Sequence, residues 1–467
     1  MMKKHLTKIF TTSFLTFFLL GGLGQPASAQ EPTKDPAATE TREAIAARMK
    51  WWSEARFGMF IHWDMSSLAG TEISWSRKAT KPLDIKGDPA GYVEDPVYDH
   101  LYQKFNPVKF NADAWVKLAQ DAGMKYIVFT AKHHGGFCMW DTKLTDYSIM
   151  HAPFKRDVVK ELADACHKAG MRFGLYYSQR DWHHPDYGIG DNSKYHAYLK
   201  GQLTELLTRY GKVDIMWFDS FGKGESIAYW HADEILALVK RLQPQIVVNN
   251  RSSYFGQGIP SLKADFDTPE QRLGSFQNTR AWESCMCLVK APGGGWSYRP
   301  DGKVKPFAES LQILLGCATG DGNLLLDVGP DAQGIIPDDQ AAVLREMGGW
   351  LKQYGASIYG TRGGPFRNGA WGGSTYKNQT VYLHVATWAG DQLDLPPLKA
   401  KVVSASLPGN SNAKPLVTQT AQSLTVTLPP EHQGKIRTVI ALQLDAPAAG
   451  ELVKGQPLNI PAAGGKK

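Results

Sequence analysis

Between residues 57 and 354, short apolar runs of strand length alternate with longer amphipathic stretches, and this rhythm limits the possible folds more than any other feature of the chain. Strand character falls at 57–62, 126–130, 172–178, 213–219, 246–249 and 323–328, and helical periodicity at 112–122, 157–168, 194–210, 231–242, 307–317 and 338–354. Repeated strand–helix–strand units pair their strands in parallel through right-handed crossovers, and over this length such a sheet tends to close on itself. The expectation is an α/β fold, a (β/α) TIM-like barrel. About six strands are evident against the usual eight, so the closure should be irregular.

One run fixes where the chemistry should lie. Val213-Asp214-Ile215-Met216-Trp217-Phe218-Asp219 is apolar to its end and then stops on a carboxylate. A strand buried on both faces reads this way, and its C-terminal end opens onto the rim where barrels place their functional groups. Other strands also finish in polar or aromatic residues: Ile61-His62-Trp63, Lys132-His133-His134 and Tyr176-Tyr177-Ser178. A lone histidine at a strand end is more often structural than functional. Convergence of His62, His133, His134, Tyr177, Trp217 and Asp219 on one rim is harder to assign to packing.

At 467 residues the chain is long enough for a large core and a second module. Lys3, Lys4 and Lys8, an apolar stretch over 9–23 and Ala27-Ser28-Ala29 have the order of a secretory signal peptide, which predicts export to the periplasm or medium. The expected organisation is a signal peptide at 1–29, a flexible leader at 30–45, the barrel at 46–358, a small antiparallel β-sandwich at 359–446 and a loose tail at 447–467. The sandwich is read from alternating β-formers punctuated by Pro and Gly after residue 360. A net charge of +7 without a block of Lys and Arg gives no support for nucleic-acid binding. Once the signal is removed, no membrane association is expected. Five cysteines, two of them at 285 and 287, do not suggest a disulfide framework.

A zinc centre built on the histidine pairs is the first competing chemistry. No H-x-H or H-E-x-x-H occurs, and adjacent His133 and His134 would point to opposite sides of an extended backbone, so no metal is expected. Neutral donors with aromatic faces suit a sugar better; the chain has 14 Trp and 18 Tyr, although most of these will fill the core. Retaining glycoside hydrolysis requires two carboxyl groups roughly 5 Å apart. Asp219 is one. Glu270 and Glu283 are both candidates for the other, and composition does not choose between them.

The stretches WWSEARFGMFIHWD, YIVFTAKHHGGFCMWDT, RDVVKELADACHKAGMRFGLYYSQRDW, IMWFDS, VVNNR, WESC and GNLLLDVGP together resemble the α-L-fucosidases of glycoside hydrolase family 29 over roughly residues 46–360. The resemblance implies a barrel followed by a β-sandwich, a retaining double displacement, no metal or other cofactor, and a fucosylated oligosaccharide or glycoconjugate as substrate. It places Asp219 at the nucleophile and prefers Glu270 to Glu283 as acid/base. It assigns His62, His133, His134, Tyr177, Trp217, Arg251 and Trp296 to sugar contacts, with Trp75 added to that set. Three departures stand out: the usual KHHDGF is KHHGGF, WFDG is WFDS, and a frequent Glu-Trp pair is Ser74-Trp75, so a carboxylate is lost unless Glu72 substitutes. The alternatives are a catalytically silent glycan-binding protein and a glycosidase with altered specificity, such as for an α-L-galactoside. Retention of both Asp219 and Glu270 favours the enzyme.

Overall fold

The structure is a computed structural model that describes residues 40–77, 93–219, 230–252, 264–273, 276–410 and 412–451. The segment expected to be a signal peptide, most of the expected leader and the residues after Glu451 lie outside the described residues. Helical structure starts earlier than the boundary read at residue 46. Thr41 accepts the N–H of Ala44 in a side-chain cap, and the helix Arg42–Ala55 buries Met49, Trp52 and Ala55 against the barrel.

Seven strands form one sheet in the order Val247–Val248, Ile215–Phe218, Arg172–Tyr177, Tyr126–Lys132, Phe57–Ile61, Asn323–Val328 and Glu283–Cys287. Every pair is parallel. The two edge strands are joined through residues 266–270, where single parallel bridges connect Asn249 to Phe266, Asp267 to Trp282 and Glu270 to Cys285. The irregular closure expected from the sequence is this eighth stave, and it carries Glu270. The Glu283–Cys287 strand was not evident in the sequence because its polar Glu and Ser break the apolar pattern, yet all five residues are buried.

Side chains alternate across the barrel wall as a period of two requires. Phe60, Tyr176, Ile215, Trp217 and Leu325 fill the interior, while Ile61, Leu175, Tyr177, Met216 and Phe218 pack outward in the cluster that includes the helices. Beyond the barrel, a five-stranded antiparallel sheet (Arg362–Gly363, Gly372–Lys377, Thr380–Val385, Thr438–Leu444, Val402–Ser406) and a three-stranded one (Gln392–Leu395, Leu424–Thr427, Leu416–Gln419) share a core that includes Leu383, Leu393, Val426 and Ile440. The buried Arg56 ties this module to the barrel: it pairs with Asp321 at 2.7 Å and donates to the carbonyl of Thr361.

Candidate active site

The C-terminal ends of the barrel strands surround a cavity of ≈ 250 Å³ lined by Phe60, His62, Trp75, His133, His134, Tyr176, Arg180, Trp217, Asp219, Arg251, Glu270, Cys285 and Trp296. Asp219 is the first residue past its strand. Its Oδ2 accepts the hydroxyl of Tyr176 at 2.8 Å and its Oδ1 contacts Arg251 at 2.9 Å. The second terminal nitrogen of Arg251 contacts Glu270 Oε2 at 2.8 Å, so one guanidinium bridges two carboxylates. Arg251 is itself fixed by donation from Nε to Thr268 Oγ1 at 2.8 Å and lies 4.8 Å from the centre of the Trp217 ring. Burial works against its charge, but Asp219 and Glu270 outweigh that and raise its pKa, which keeps the bridge cationic.

The histidines are uncharged. Burial holds His133 down at about 3 and pushes His62 and His134 well below the usual imidazole range. The hydrogen-bond chain assigns the tautomer of His134: the Ser178 hydroxyl donates to the carbonyl of Asp219 at 3.2 Å, so it must accept from His134 Nδ1 at 2.6 Å. His134 Nε2 is then left as an acceptor, 3.7 Å from Asp219 Oδ2. His62 Nδ1 lies 2.6 Å from Oδ1 of the fully buried Asp327. Burial drives that carboxyl well above its usual range, so the pair favours its uncharged form.

The expectation that His133 and His134 point to opposite sides of an extended backbone does not hold in the fold. The strand ends at Lys132, and the backbone turns through Gly135 and Gly136, whose φ is 84° and where a Cβ would collide with Asp181. Both imidazoles consequently face the cavity with ring centres 4.1 Å apart, and their donor atoms lie within 4.8 Å of one another and of Asp219. Distance alone would admit a cation. The Arg251 guanidinium already neutralises Asp219 at 2.9 Å, however, and a second positive charge there would be repelled.

Of the residues expected at the site, His62, Trp75, His133, His134, Trp217, Asp219, Arg251, Glu270 and Trp296 line the cavity. Tyr177 does not. Its register pairs it with Phe218, on the outward face, and its hydroxyl donates to Gln202 at 2.8 Å. Tyr176, in register with Trp217, takes the inward place. Glu283 is also absent from the cavity. It lies fully buried at the start of its strand beneath Trp217, accepts Trp217 Nε1 at 3.2 Å and Tyr126 Oη at 2.6 Å, and is pushed up to about 7 by burial. Glu72 does not replace the missing carboxylate. It is buried behind the wall, pushed up to about 8, and accepts the backbone N–H groups of Trp296 at 3.3 Å and Ser297 at 3.4 Å. The departures at Ser74 and Gly135 meet in space, with the N–H of Gly135 donating to Ser74 Oγ at 2.7 Å. Phe60, Tyr176, Arg180 and Cys285 complete the lining and were not singled out in the sequence; the strand register would have pointed to Tyr176.

The family model for Alpha-L-fucosidase matches residues 25–356. Among characterised proteins the chain is similar to the plasma alpha-L-fucosidase of Homo sapiens, 31% identical over 386 residues that span 76% of this chain and 80% of that one. Among solved structures it is similar to alpha-L-fucosidase isoenzyme 1 from Paenibacillus thiaminolyticus, with a TM-score of 0.76 and 32% identity over 86% of this chain and 99% of that one. A GH29 alpha-L-fucosidase from Bacteroides thetaiotaomicron, trapped as a covalent intermediate with 2-fluoro-fucosyl fluoride, matches with a TM-score of 0.74 and 27% identity over 86% of this chain and 96% of that one.

Proposed function

The chain belongs to the alpha-L-fucosidase family GH29, a family of retaining glycoside hydrolases, and from that premise we propose that Asp219 is its nucleophile and Glu270 its acid/base in the release of α-linked L-fucose. The observation that carries this reading is the Arg251 bridge, because a single guanidinium in contact with both carboxyl groups holds them together on one cavity, as a double displacement with two carboxyl groups needs.

In the first step the Asp219 carboxylate attacks the anomeric carbon as the glycosidic bond breaks, and Glu270 gives its proton to the departing oxygen. In the second, Glu270 takes a proton from water, the water oxygen attacks the same carbon, and the ester to Asp219 is cleaved with net retention. Tyr176 and Arg251 hold Asp219 from two sides, which favours in-line attack. His62, His133 and His134 supply uncharged hydrogen-bonding groups to sugar hydroxyls, while Trp217 and Trp296 present apolar faces. Phe60 and Trp296 lie edge-on at 6.2 Å, giving the cavity an aromatic corner for an apolar sugar substituent.

The substrate is read as a fucosylated oligosaccharide or glycoconjugate, and export through the residue 1–29 segment is part of the same proposal. Hydrolysis of an aryl α-L-fucoside, measured beside the corresponding α-L-galactoside, tests the reading. Turnover of the fucoside with the fucoside preferred supports it; binding of fucose without turnover would favour a silent glycan-binding protein.

A further inference from the structure

The cavity wall holds a second cation that the proposed chemistry does not use. Arg180 lines the cavity and is only 8% exposed, yet among the described residues none makes a hydrogen bond or ion pair with its guanidinium. Its main chain is fixed, since its N–H donates to Ser178 Oγ at 3.1 Å and its carbonyl lies 3.5 Å from Lys132 Nζ. The neighbouring acid does not neutralise it. Asp181 pairs with the buried Lys132 at 3.0 Å and caps the backbone N–H groups of His183 and His184 at 3.2 and 2.9 Å.

A buried charge without a partner is costly, which is why buried cations are nearly always paired. The other two beside this site obey that rule: Lys132 has Asp181, and Arg251 has Asp219 and Glu270. Arg180 is the exception. Its charge acts on the cavity histidines His133 and His134, and the Trp75 ring lies 5.2 Å from that of His134, whereas Arg251 binds the two carboxyl groups. Trp182 closes this aromatic group at 5.1 Å from Trp75. A planar guanidinium on the wall of a cavity that also carries indole rings is suited to an anionic sugar, with the anion held by charge-assisted hydrogen bonds.

We propose that Arg180 is a specificity-determining residue that binds an anionic group on the substrate, either a sulfate ester on the fucose or the carboxylate of a uronic acid to which the fucose is linked. The inference rests on the fucosidase reading and deepens it. Without Arg180, such a substrate would meet a cavity whose one other guanidinium is already engaged by two carboxyl groups.

The test compares kcat/KM for three substrate pairs in the parent chain, Arg180→Gln and Arg180→Lys: an aryl α-L-fucoside with and without a sulfate on the sugar, an α-L-fucosyl glucuronide against the α-L-fucosyl glucoside, and a neutral aryl α-L-fucoside against its galactoside. The parent should prefer the charged member of the first or the second pair, and the responding pair identifies the source of the anion. Arg180→Gln should lower that charged-to-neutral ratio by about tenfold to a hundredfold, the worth of a charge-assisted hydrogen bond, and Arg180→Lys should keep part of it. A ratio that does not change in Arg180→Gln, or an equal fall on charged and neutral substrates, would overturn the proposal and make Arg180 a general contributor to the field of the site. Failure of the parent on the neutral fucoside would instead strike the fucosidase reading itself.

Discussion

The carboxyl groups at the rim of the barrel and those within its wall have opposite surroundings. At the rim, Asp219 and Glu270 share the Arg251 guanidinium, and their side chains keep 22% and 41% exposure. In the wall, Glu283, Glu72 and Asp327 have no Lys or Arg in ion-pair contact among the described residues, and burial raises all three. The difference separates two uses of the same functional group. Two carboxyl groups that share a cation at the cavity can attack and exchange protons, whereas a carboxyl held among neutral donors orients a neighbour: Trp217 for Glu283, the Trp296 loop for Glu72 and His62 for Asp327.

The largest effect should follow from breaking the rim. Asp219→Ala is expected to lower kcat by several orders of magnitude, roughly the loss of the covalent route, with stability altered by no more than about 1 kcal/mol because the side chain is partly exposed. Steady-state kinetics and a thermal melt together check this, and a large fall in melting temperature would move Asp219 into the scaffold. Next is Glu270→Ala. A general acid matters most when the leaving group is poor, so the variant should lose about 10²- to 10⁴-fold on natural oligosaccharides and much less on aryl fucosides with good leaving groups, with partial rescue by azide. If Glu283→Ala shows that selectivity instead, the distinction between rim and wall collapses.

A smaller effect, and a different kind of signal, is expected in the wall. The Glu283 carboxyl remains protonated in the fold up to about pH 7 but ionises near 4.5 when free. Its contribution to stability is therefore complete below pH 4.5 and is lost as the pH rises through about 7, by on the order of 3 kcal/mol. Glu283→Gln removes that titration. Melts at pH 5 and pH 8 should show the variant losing less stability than the parent across the interval, with activity reduced less than about tenfold through looser placement of Trp217; an identical pH slope in both proteins would refute a neutral wall carboxyl. The smallest effect concerns a pair of adjacent tyrosines. Tyr177→Phe loses only a hydrogen bond to Gln202, about 1 kcal/mol of stability, whereas Tyr176→Phe removes a donor from Asp219 and should cost about tenfold or more in kcat. Equal effects on kcat would mean that the inward and outward faces are misassigned.

These contrasts also show what could be read from the sequence. The parallel sheet, Asp219 at a strand end and the histidines near the rim were legible because strand-length apolar runs end abruptly on polar groups. The choice between Tyr176 and Tyr177 was not, since a strand buried on both faces has no alternating pattern and only its register with Trp217 sets the inward side. The orientation of His133 and His134 is not legible in the sequence, because the backbone turns at Gly136, with φ 84°, where the residue pattern suggests an extended strand. Glu283 could not be told from Glu270 by composition: one starts a buried strand and the other ends an irregular stave, a difference that arises only when residues 266–270 close the ring. Arg180 is not legible as a site residue because an arginine after a strand usually reaches solvent, and only the fold encloses this one in the cavity wall.

The central claim is that the rim pair works by a covalent route through Asp219. Incubation with a slow 2-fluoro-fucosyl fluoride, followed by mass spectrometry of the peptide containing Trp217-Phe218-Asp219, measures it directly. The expected result is a mass increase of one 2-fluorofucosyl group on Asp219 that persists in Glu270→Gln, with the first fucose formed from an ordinary substrate in the retained configuration by NMR. Label on another carboxylate, or fucose formed with inversion, would contradict the account.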